Sequence, residues 1–347
     1  MISVQLSPRH TSAIQRTPLG EAGYAIIEKL FEKGFDAWWV GGCVRDILLE
    51  KEPKDIDVGT DARPEQVAMI LKVADDHGKQ FGSLIVKEKG YEIEVTTFRE
   101  DDEASDGRHP QSVVLSDRAH DALRRDFTVN ALYFHPITRE LFDPFGGVED
   151  LKERLVRFIG EPGVRIKHDA LRMLRAIRLR ATLGGQYHPE TYRALLELAS
   201  YIETLSPMRQ FEELEKLLLC GAPSRGLEDM WETGLLKFTI PELFICRGVA
   251  QPKDFHHEGD VWEHTLKCVS AFLPEHSIDT RIATLFHDCG KAETFSVRDR
   301  IHFDHHASVS ADIASKVLTR LQVGKKRIEK IDWLIRHHMS MTAFLDL

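Results

Sequence analysis

Two aspartates separated by one residue are the side chains in this sequence best suited to hold a metal ion. Asp55 and Asp57 stand in DIDVGT, whose residues 55–58 are typical of a short strand. Strand residues two apart share a face, so we expect the two carboxylates to project side by side. Adjacent carboxylates repel unless a cation separates them, and oxygen ligands of this kind suit Mg²⁺. The pair predicts a phosphoryl-transfer metal site, although an exposed strand end would also account for it.

A third carboxylate ligand is expected from the hairpin pattern at residues 83–98. Glu94 and Glu92 lie on one face of its second β-rich run, YEIEVTTF, so either could reach the metal. We choose Glu94, because it belongs to the segment EVTTFR.

A glycine pair at a strand-to-helix turn offers a place for phosphates. The apolar run 37–40 predicts a buried strand, and Gly41-Gly42 follows it directly before a helical pattern. Glycines let backbone N–H groups approach an anion closely, so the turn suits a triphosphate. Such pairs also punctuate ordinary turns, and this one alone is a weak signal.

Further along, RRDFTVN supplies groups that suit a nucleotide. Arg124 and Arg125 can donate bidentate hydrogen bonds to phosphate oxygens, and Asp126 and Asn130 can bind ribose hydroxyls. An isolated Arg-Arg-Asp would be read as a surface ion pair, so its meaning depends on its neighbours.

The 17 histidines concentrate in the last third of the chain. Their order, with an adjacent His-Asp pair, resembles the HD phosphohydrolase domain. The resemblance implies a transition-metal site formed by His264, His287, Asp288 and His306, with Lys291 near a phosphate. The HD family adds a later aspartate. Asp346 is too near the end to assign, so we expect the chain to stop within this domain.

Element patterns change near residue 160. Before about 145 short strands such as 131–134 and 140–143 alternate with helices, and after Gly163 helical periodicity dominates. We therefore predict an α+β protein with a catalytic head at 1–160, a helical neck at 161–225, and a helical body with a partial HD domain at 226–347. The polar segment 100–112 is expected to be a mobile loop.

Bulk composition indicates a cytoplasmic globular protein. Five scattered cysteines without a CxxC pair predict reduced thiols, and neither a secretory signal nor an 18-residue apolar run is found, so no membrane partner is expected. The net charge of −9 argues against nucleic acid, but phosphate contacts depend on local patches. Residues 164–193 hold seven basic and two acidic side chains.

Several independent motifs together resemble the class II CCA-adding enzymes and bacterial poly(A) polymerases, which belong to the polymerase-β-like nucleotidyltransferases. GGCVRDILL, DIDVGT, EVTTFR, DGRHP and RRDFTVNALYF occur in the family's order over about residues 35–220. The resemblance implies Mg²⁺-dependent transfer of CMP and AMP from CTP and ATP to a tRNA 3′ end, with Asp55 and Asp57 holding the metals. It places two groups of residues at the nucleotide: Gly41, Gly42, Arg45 and Asp46 at the triphosphate, and Arg124, Arg125, Asp126 and Asn130 at the sugar and phosphates.

The helical segment 167–180 resembles the family's base-reading motif. Asp169 and Arg172, one helical turn apart, can pair with the amine and ring nitrogen that cytosine and adenine share. Guanine and uracil reverse that polarity and would be mispaired. His168 stands where the family usually has Glu. Arg175 and Arg178 continue a basic stripe expected to contact nucleotide or tRNA phosphates.

Two alternatives stay open at the level of sequence. One is a narrower polymerase that adds only A or only CC, or that tails mRNA. The other is an HD-type phosphohydrolase whose head binds RNA. The sequence does not indicate an oligomeric state.

Overall fold

The computed structural model describes residues 2–5, 16–100, 114–251 and 259–342. The chain divides into two compact units, Met1–Asp169 and Ala170–Leu347. The segment 100–112, predicted to be a loop, lies outside the described residues apart from Glu100, and so does Asp346.

The first unit is built on an eight-stranded sheet. Its strand order is β1-β10-β9-β2-β3-β6-β5-β4, and every neighbouring pair is antiparallel except β3 and β6. The strands of this unit are β1 (Ile2–Gln5), β2 (Ala37–Val40), β3 (Asp57–Thr60), β4 (Val73–Asp75), β5 (Ser83–Glu88), β6 (Tyr91–Thr97), β7 (Arg99–Glu100), β8 (Val114–Leu115), β9 (Tyr133–His135), β10 (Glu140–Asp143) and β11 (Leu155–Val156).

Helices cover this sheet and close its apolar core. Ile26, Ile27 and Leu30 of the first helix are fully buried in one core with Trp39 and Phe134 of the sheet, and Trp38, Val40 and Tyr133 of the same strands belong to a second buried cluster. The helices are α1 (Pro18–Glu32), α2 (Gly42–Leu48), α3 (Pro64–Ile70), α4 (Arg118–Arg124), α5 (Gly147–Lys152) and α6 (Pro162–His168).

The predicted strand at 55–58 is wrong in its bounds. It begins at Asp57, which pairs with Val40, the last residue of β2. Beyond Val40 the chain turns at Gly41, whose φ of 77° leaves the extended region, so the residues before Asp57 have no partner strand on that side. Asp55 therefore stands just ahead of the strand and is exposed.

The second unit is mainly helical, which together with the first unit confirms the predicted α+β class. It departs from the all-helical expectation at three short strands. These are β12 (Gln186–Tyr187) and the hairpin of β13 (Phe295–Val297) with β14 (Ile301–Phe303). Its helices are α7 (Leu171–Leu183), α8 (Pro189–Glu197), α9 (Pro207–Leu218), α10 (Pro223–Glu232), α11 (Leu235–Thr239), α12 (Pro241–Phe244), α13 (Val261–Ser270), α14 (Ile278–Phe286), α15 (Lys291–Thr294), α16 (His306–Arg320), α17 (Lys325–Arg336) and α18 (His338–Thr342).

A search of the described helices for a membrane span finds none with the necessary length and apolar character.

Candidate active site and a histidine cluster

The three predicted carboxylates meet at the start of strand β3. Asp57 is directly opposite Glu94 in the parallel pairing of β3 with β6, whereas Glu92 pairs with Lys87 of β5. Of the two glutamates considered, Glu94 is thus the one beside Asp57. Ser83 donates a hydrogen bond to Glu94.

The electrostatics of this carboxylate group suit a cation. Burial, then the negative charge of Asp55, then that of Glu94 raise the pKa of Asp57 to about 6, and Arg125 acts in the opposite direction. Neighbouring anions with so little compensation are stabilised by a divalent ion bound between them. The oxygen donors fit a hard metal.

Gly41 makes room for an arginine beside these carboxylates. A side chain at Gly41 would place its Cβ 3.0 Å from Nη1 of Arg125, and its φ of 77° favours glycine as well. The Gly41 N–H donates to the carbonyl of Leu132 at 3.0 Å, which fixes the turn. The positive φ is the main reason for glycine here, and the nearby guanidinium adds to it.

The two arginines of RRDFTVN are held by Asp121, a residue that the sequence reasoning missed. Its carboxylate, 1% exposed, accepts from Nε of Arg124 at 2.8 Å and from Nη2 of Arg125 at 3.2 Å. Tyr133 donates to it at 2.7 Å and accepts from Nε of Arg125 at 2.8 Å. The signal was present in the sequence, because Asp121 precedes the arginines by three and four residues on a helix.

The charges around Asp121 settle its protonation. Burial acts to raise the pKa of this carboxyl group, but the positive charges of Arg124 and Arg125 and the hydrogen bond from Tyr133 outweigh burial and hold the pKa below its ordinary value. An ionised Asp121 therefore anchors both guanidinium groups.

A second arginine pairing brings together helix α2 and the end of RRDFTVN. Arg45 donates from Nη1 to the side-chain oxygen of Asn130 at 2.7 Å and from Nε to Asp46 at 2.9 Å. Three predicted nucleotide-binding residues are thus in contact. Asp126, which follows Arg125, is half-buried, and its backbone carbonyl accepts from the Ile159 N–H at 3.1 Å.

The predicted single helix through the base-reading segment is wrong. Helix α6 ends at His168, and Asp169 adopts an extended conformation with φ −150° and ψ 108° before α7 begins at Leu171. Asp169 and Arg172 therefore do not stand on one helical turn. Asp169 is the last residue of the first unit, and Arg172 is in the second.

The basic stripe of α7 is only partly a surface feature. Arg172 is buried and Arg175 half-buried, and Arg178 donates from Nε to Glu213, which is 2% exposed. A buried carboxylate needs a paired cation, and Arg178 provides it. The prediction that this stripe contacts phosphates did not include the internal ion pair of Arg178 with Glu213.

In the second unit, the predicted HD residues surround one buried aspartate. Oδ2 of Asp288 lies 3.5 Å from Nε2 of His264 and 3.3 Å from Nε2 of His287. Its Oδ1 lies 3.4 Å from Nε2 of His306 and 3.7 Å from Nε2 of His338. The structure brings the four predicted residues together and adds His338, which belongs to the histidine order of the sequence but was not among the predicted ligands.

Backbone contacts orient three of these imidazoles. Nδ1 of His287 lies 2.7 Å from the Thr284 carbonyl, Nδ1 of His306 lies 3.0 Å from that of Phe303, and Nδ1 of His338 lies 2.7 Å from that of Ile335. A carbonyl only accepts, so each Nδ1 carries a proton and each Nε2 faces Asp288, where the neutral ring offers a lone pair to a metal. Ligand histidines of metal sites are oriented in this way.

Buried polar atoms in the cluster fit a metal. Oδ1 of Asp288 and Nε2 of His306 are buried and have no hydrogen-bond partner. The other oxygen of Asp288 accepts from Nζ of Lys291 at 2.7 Å, and Lys291, which is 5% exposed, also donates to Gln251 at 2.8 Å. The lysine expected at a phosphate thus contacts Asp288.

Gly290 sets the distance between this aspartate and helix α16. A Cβ there would lie 2.5 Å from the backbone nitrogen of Ser310 and 2.7 Å from the carbonyl of His306. The Gly290 N–H donates to the Ser310 hydroxyl at 2.8 Å. Only glycine permits this approach, because the neighbouring atoms belong largely to backbone.

Comparison with known protein families matches three successive regions of the chain. Residues 37–157 match the Poly A polymerase head domain, residues 186–246 the "Probable RNA and SrmB-binding site of polymerase A", and residues 257–343 the HD domain.

Curated relatives carry two names. The chain is 40% identical over 221 residues to the CCA-adding enzyme of Geobacillus stearothermophilus, covering 63% of this chain and 54% of that protein. It is 39% identical over 229 residues to poly(A) polymerase I of Escherichia coli O6:H1, covering 63% and 49%. The chain spans about half the length of the curated relatives it matches.

Solved structures extend the comparison over nearly the whole chain. The Bacillus stearothermophilus CCA-adding enzyme in complex with CTP superposes with a TM-score of 0.72 at 30% identity, covering 95% of this chain and 71% of that one. The Thermotoga maritima enzyme in complex with tRNA shares the fold, with a TM-score of 0.66 at 20% identity and coverage of 100% and 76%. The chain therefore belongs to the family of CCA-adding enzymes and bacterial poly(A) polymerases, as the motifs predicted, and that family implies a divalent metal.

Proposed function

We propose that this protein adds CMP and AMP, taken from CTP and ATP, to the 3′ end of tRNA without a template. The observation that carries the proposal is the group of Asp57, Glu94 and Asp55 beside Arg125, because it joins a hard-metal site to a phosphate-binding cation. The names of the relatives, CCA-adding enzyme above all, point to the same reaction.

The carboxylates are proposed to hold Mg²⁺. Asp55 and Asp57 would be its main ligands and Glu94 a third. Bound there, Mg²⁺ would stabilise the charge that develops on the attacking and leaving oxygens when the RNA 3′-OH displaces pyrophosphate from the α-phosphorus.

The arginines are proposed to bind the triphosphate. Arg125, locked by Asp121 and Tyr133, has a fixed direction before the nucleotide arrives, which reduces the reorganisation that binding requires. Arg45, supported by Asn130, offers a second cation, and the glycine pair Gly41-Gly42 lets the phosphates approach the backbone. Arg124, Asp46 and Asp126 complete the proposed pocket.

Base choice is proposed to depend on Asp169 and Arg172. A carboxylate accepts from the exocyclic amine of cytosine or adenine, and a guanidinium donates to the ring nitrogen. Arg175 and Arg178 are proposed to lie near nucleotide or tRNA phosphates, Arg178 with its Glu213 pair intact.

The proposed organisation is a head at 1–160, a neck at 161–225, and a body with an HD domain at 226–347, working in the cytoplasm. All five cysteines are free, in keeping with a reducing compartment.

One experiment separates full CCA addition from the narrower activities. tRNA transcripts that end at the discriminator base, at C or at CC are incubated with each nucleoside triphosphate separately and then with CTP and ATP together. Completion of CCA on all three transcripts is expected. Addition of A alone, of CC alone, or of a long A tail would replace the proposal with the corresponding narrower polymerase. No incorporation at all would contradict the assignment to this reaction class.

A second candidate function is favoured by the histidine cluster of the second unit. One carboxylate among several imidazoles, with two unpartnered buried atoms, suits a transition metal that activates water for phosphate hydrolysis. The proposed ligands are His264, His287, Asp288 and His306, and the head would then serve RNA binding.

A further inference from the structure

A cysteine thiol stands against the histidine cluster. Cys268 lies one helical turn after His264 on α13, and its Sγ is 3.5 Å from Nε2 of His264. That nitrogen is in turn 3.3 Å from Nε2 of His287. One donor atom from each of these three residues lies within 4.8 Å of the other two.

These separations match those between ligands of one zinc ion. With Zn–N bonds of about 2.0–2.1 Å and Zn–S bonds of about 2.3 Å in a tetrahedral site, two nitrogens lie roughly 3.3 Å apart and a nitrogen and a sulfur roughly 3.5 Å apart. The observed distances are 3.3 Å and 3.5 Å. Oδ2 of Asp288 lies 3.5 Å and 3.3 Å from the same two nitrogens, which are separations that suit a further ligand of the same ion.

The facing nitrogens also suit a cation. Nδ1 of His287 carries a proton, because the Thr284 carbonyl beside it only accepts. In the neutral ring its Nε2 therefore presents a lone pair 3.3 Å from Nε2 of His264. A cation between the two nitrogens would accept a lone pair from each.

We propose that Cys268 is a thiolate ligand, with His264, His287 and Oδ2 of Asp288, of a soft metal position that binds zinc in preference to Mg²⁺ or Mn²⁺. Thiolate and imidazole donors select zinc-like ions, whereas the hard ions prefer oxygen. Binding replaces the thiol proton with the metal, so the proton is released to solvent.

The neighbouring atoms form a different set. Oδ1 of Asp288, His306 and His338 offer one oxygen and two nitrogens without sulfur. The carboxylate of Asp288 thus has one oxygen towards each set. Cys268 makes the two positions chemically unequal, and the inference concerns metal binding alone, so it holds whether or not the chain transfers nucleotides or hydrolyses phosphates.

Co²⁺ binding to the full chain tests the proposal, because a cobalt–thiolate bond produces an intense near-ultraviolet charge-transfer band. The protein is stripped of metal with a chelator and titrated with Co²⁺. Wild-type protein should develop the band, Cys268→Ser should lose it, and its zinc affinity should fall about tenfold or more. Cys220→Ser is the matched control, since Cys220 is a half-buried cysteine of the same unit outside the cluster.

An unchanged band in Cys268→Ser, or cobalt binding at the cluster without any band in the wild type, would overturn the proposal. A readout without mutation guards against a variant that fails to fold. Zn²⁺ should slow alkylation of Cys268 in the wild-type protein, with peptides mapped by mass spectrometry, and leave Cys220 unaffected. Equal alkylation with and without Zn²⁺ would also overturn it.

Discussion

The two proposed metal centres use aspartate in opposite surroundings. Asp57 stands among carboxylates, which help burial to raise its pKa to about 6. Asp288 is buried more deeply, yet His287, His306 and Lys291 outweigh burial and hold its pKa well below its ordinary value. The metal that a carboxylate binds therefore depends on the ligand atoms around it. Oxygen ligands favour a hard cation, and nitrogen and sulfur ligands favour a softer one.

The largest effect is expected from a substitution that disables only the carboxylate centre of the first unit. Asp57→Asn keeps the size of the side chain and removes a charged metal ligand, so nucleotide addition should fall by several orders of magnitude while the fold persists. Turnover on tRNA is measured beside circular dichroism. Glu92→Gln is the control on strand β6, because Glu92 is opposite Lys87 of β5 in the strand register and not opposite Asp57, and it should retain activity. Near-normal turnover in folded Asp57→Asn would remove this centre from the mechanism.

The second prediction concerns a substitution in the histidine cluster of the second unit. His287→Ala should abolish any metal-dependent phosphatase or phosphodiesterase activity, for example on 2′,3′-cyclic ends, and leave nucleotide addition intact. The two proposed centres lie in separate compact units, which is the physical reason for expecting independence. Both activities are assayed on the same preparations. A hydrolase activity untouched by the change would show that His287 is not needed for it. A parallel loss of both activities in folded protein would show that the two centres are not independent.

A smaller effect is expected when the arginines beside the carboxylate centre lose the aspartate that holds them. Asp121→Asn removes the charge that holds Arg124 and Arg125, and breaking such a buried pair costs about 3 kcal/mol of unfolding free energy. We expect KM for the nucleoside triphosphate to rise about tenfold with a smaller change in kcat, because Asp121 positions the phosphate-binding groups and does not touch the reacting atoms. A loss of activity confined to kcat, with KM unchanged, would show that Asp121 has a role other than positioning the phosphate-binding arginines.

The smallest effect concerns base choice. Asp169→Ala removes the proposed acceptor for the amine of cytosine and adenine, a discrimination of roughly 1–3 kcal/mol. UTP and GTP incorporation should rise relative to CTP and ATP, with triphosphate affinity preserved. Competition assays with all four nucleotides measure this directly. An unchanged preference would mean that other residues read the base.

Local spacing in the sequence predicted much of both centres. Strand periodicity predicted Asp55, Asp57 and either Glu92 or Glu94, the segment EVTTFR favoured Glu94, and the resemblance to the HD domain indicated His287 and Asp288. The start of β3 escaped prediction, because it depends on where the partner strand β2 ends. Strand length is decided by pairing between distant segments, which periodicity within one segment does not report.

Other misses have the same origin in tertiary contact. The break at Asp169 interrupts a segment whose composition favours one continuous helix, so tertiary context overrides propensity there. Cys268 and His338 gain their proposed roles from residues that are distant in the sequence, whereas Asp121 could have been found from its helical spacing to Arg124 and Arg125. The sequence order of the histidines indicated a domain family, but it did not indicate that His338 faces Asp288.

Gly290 has a consequence for reading mutational maps of this protein. It holds no ligand atom, yet any side chain there would push the backbone of α16, and with it His306, away from Asp288. In a saturation scan scored by metal retention, position 290 should tolerate substitution as poorly as a ligand does. Intolerance at a glycine here would therefore report spacing between two helices, and a map interpreted by intolerance alone would count one ligand too many.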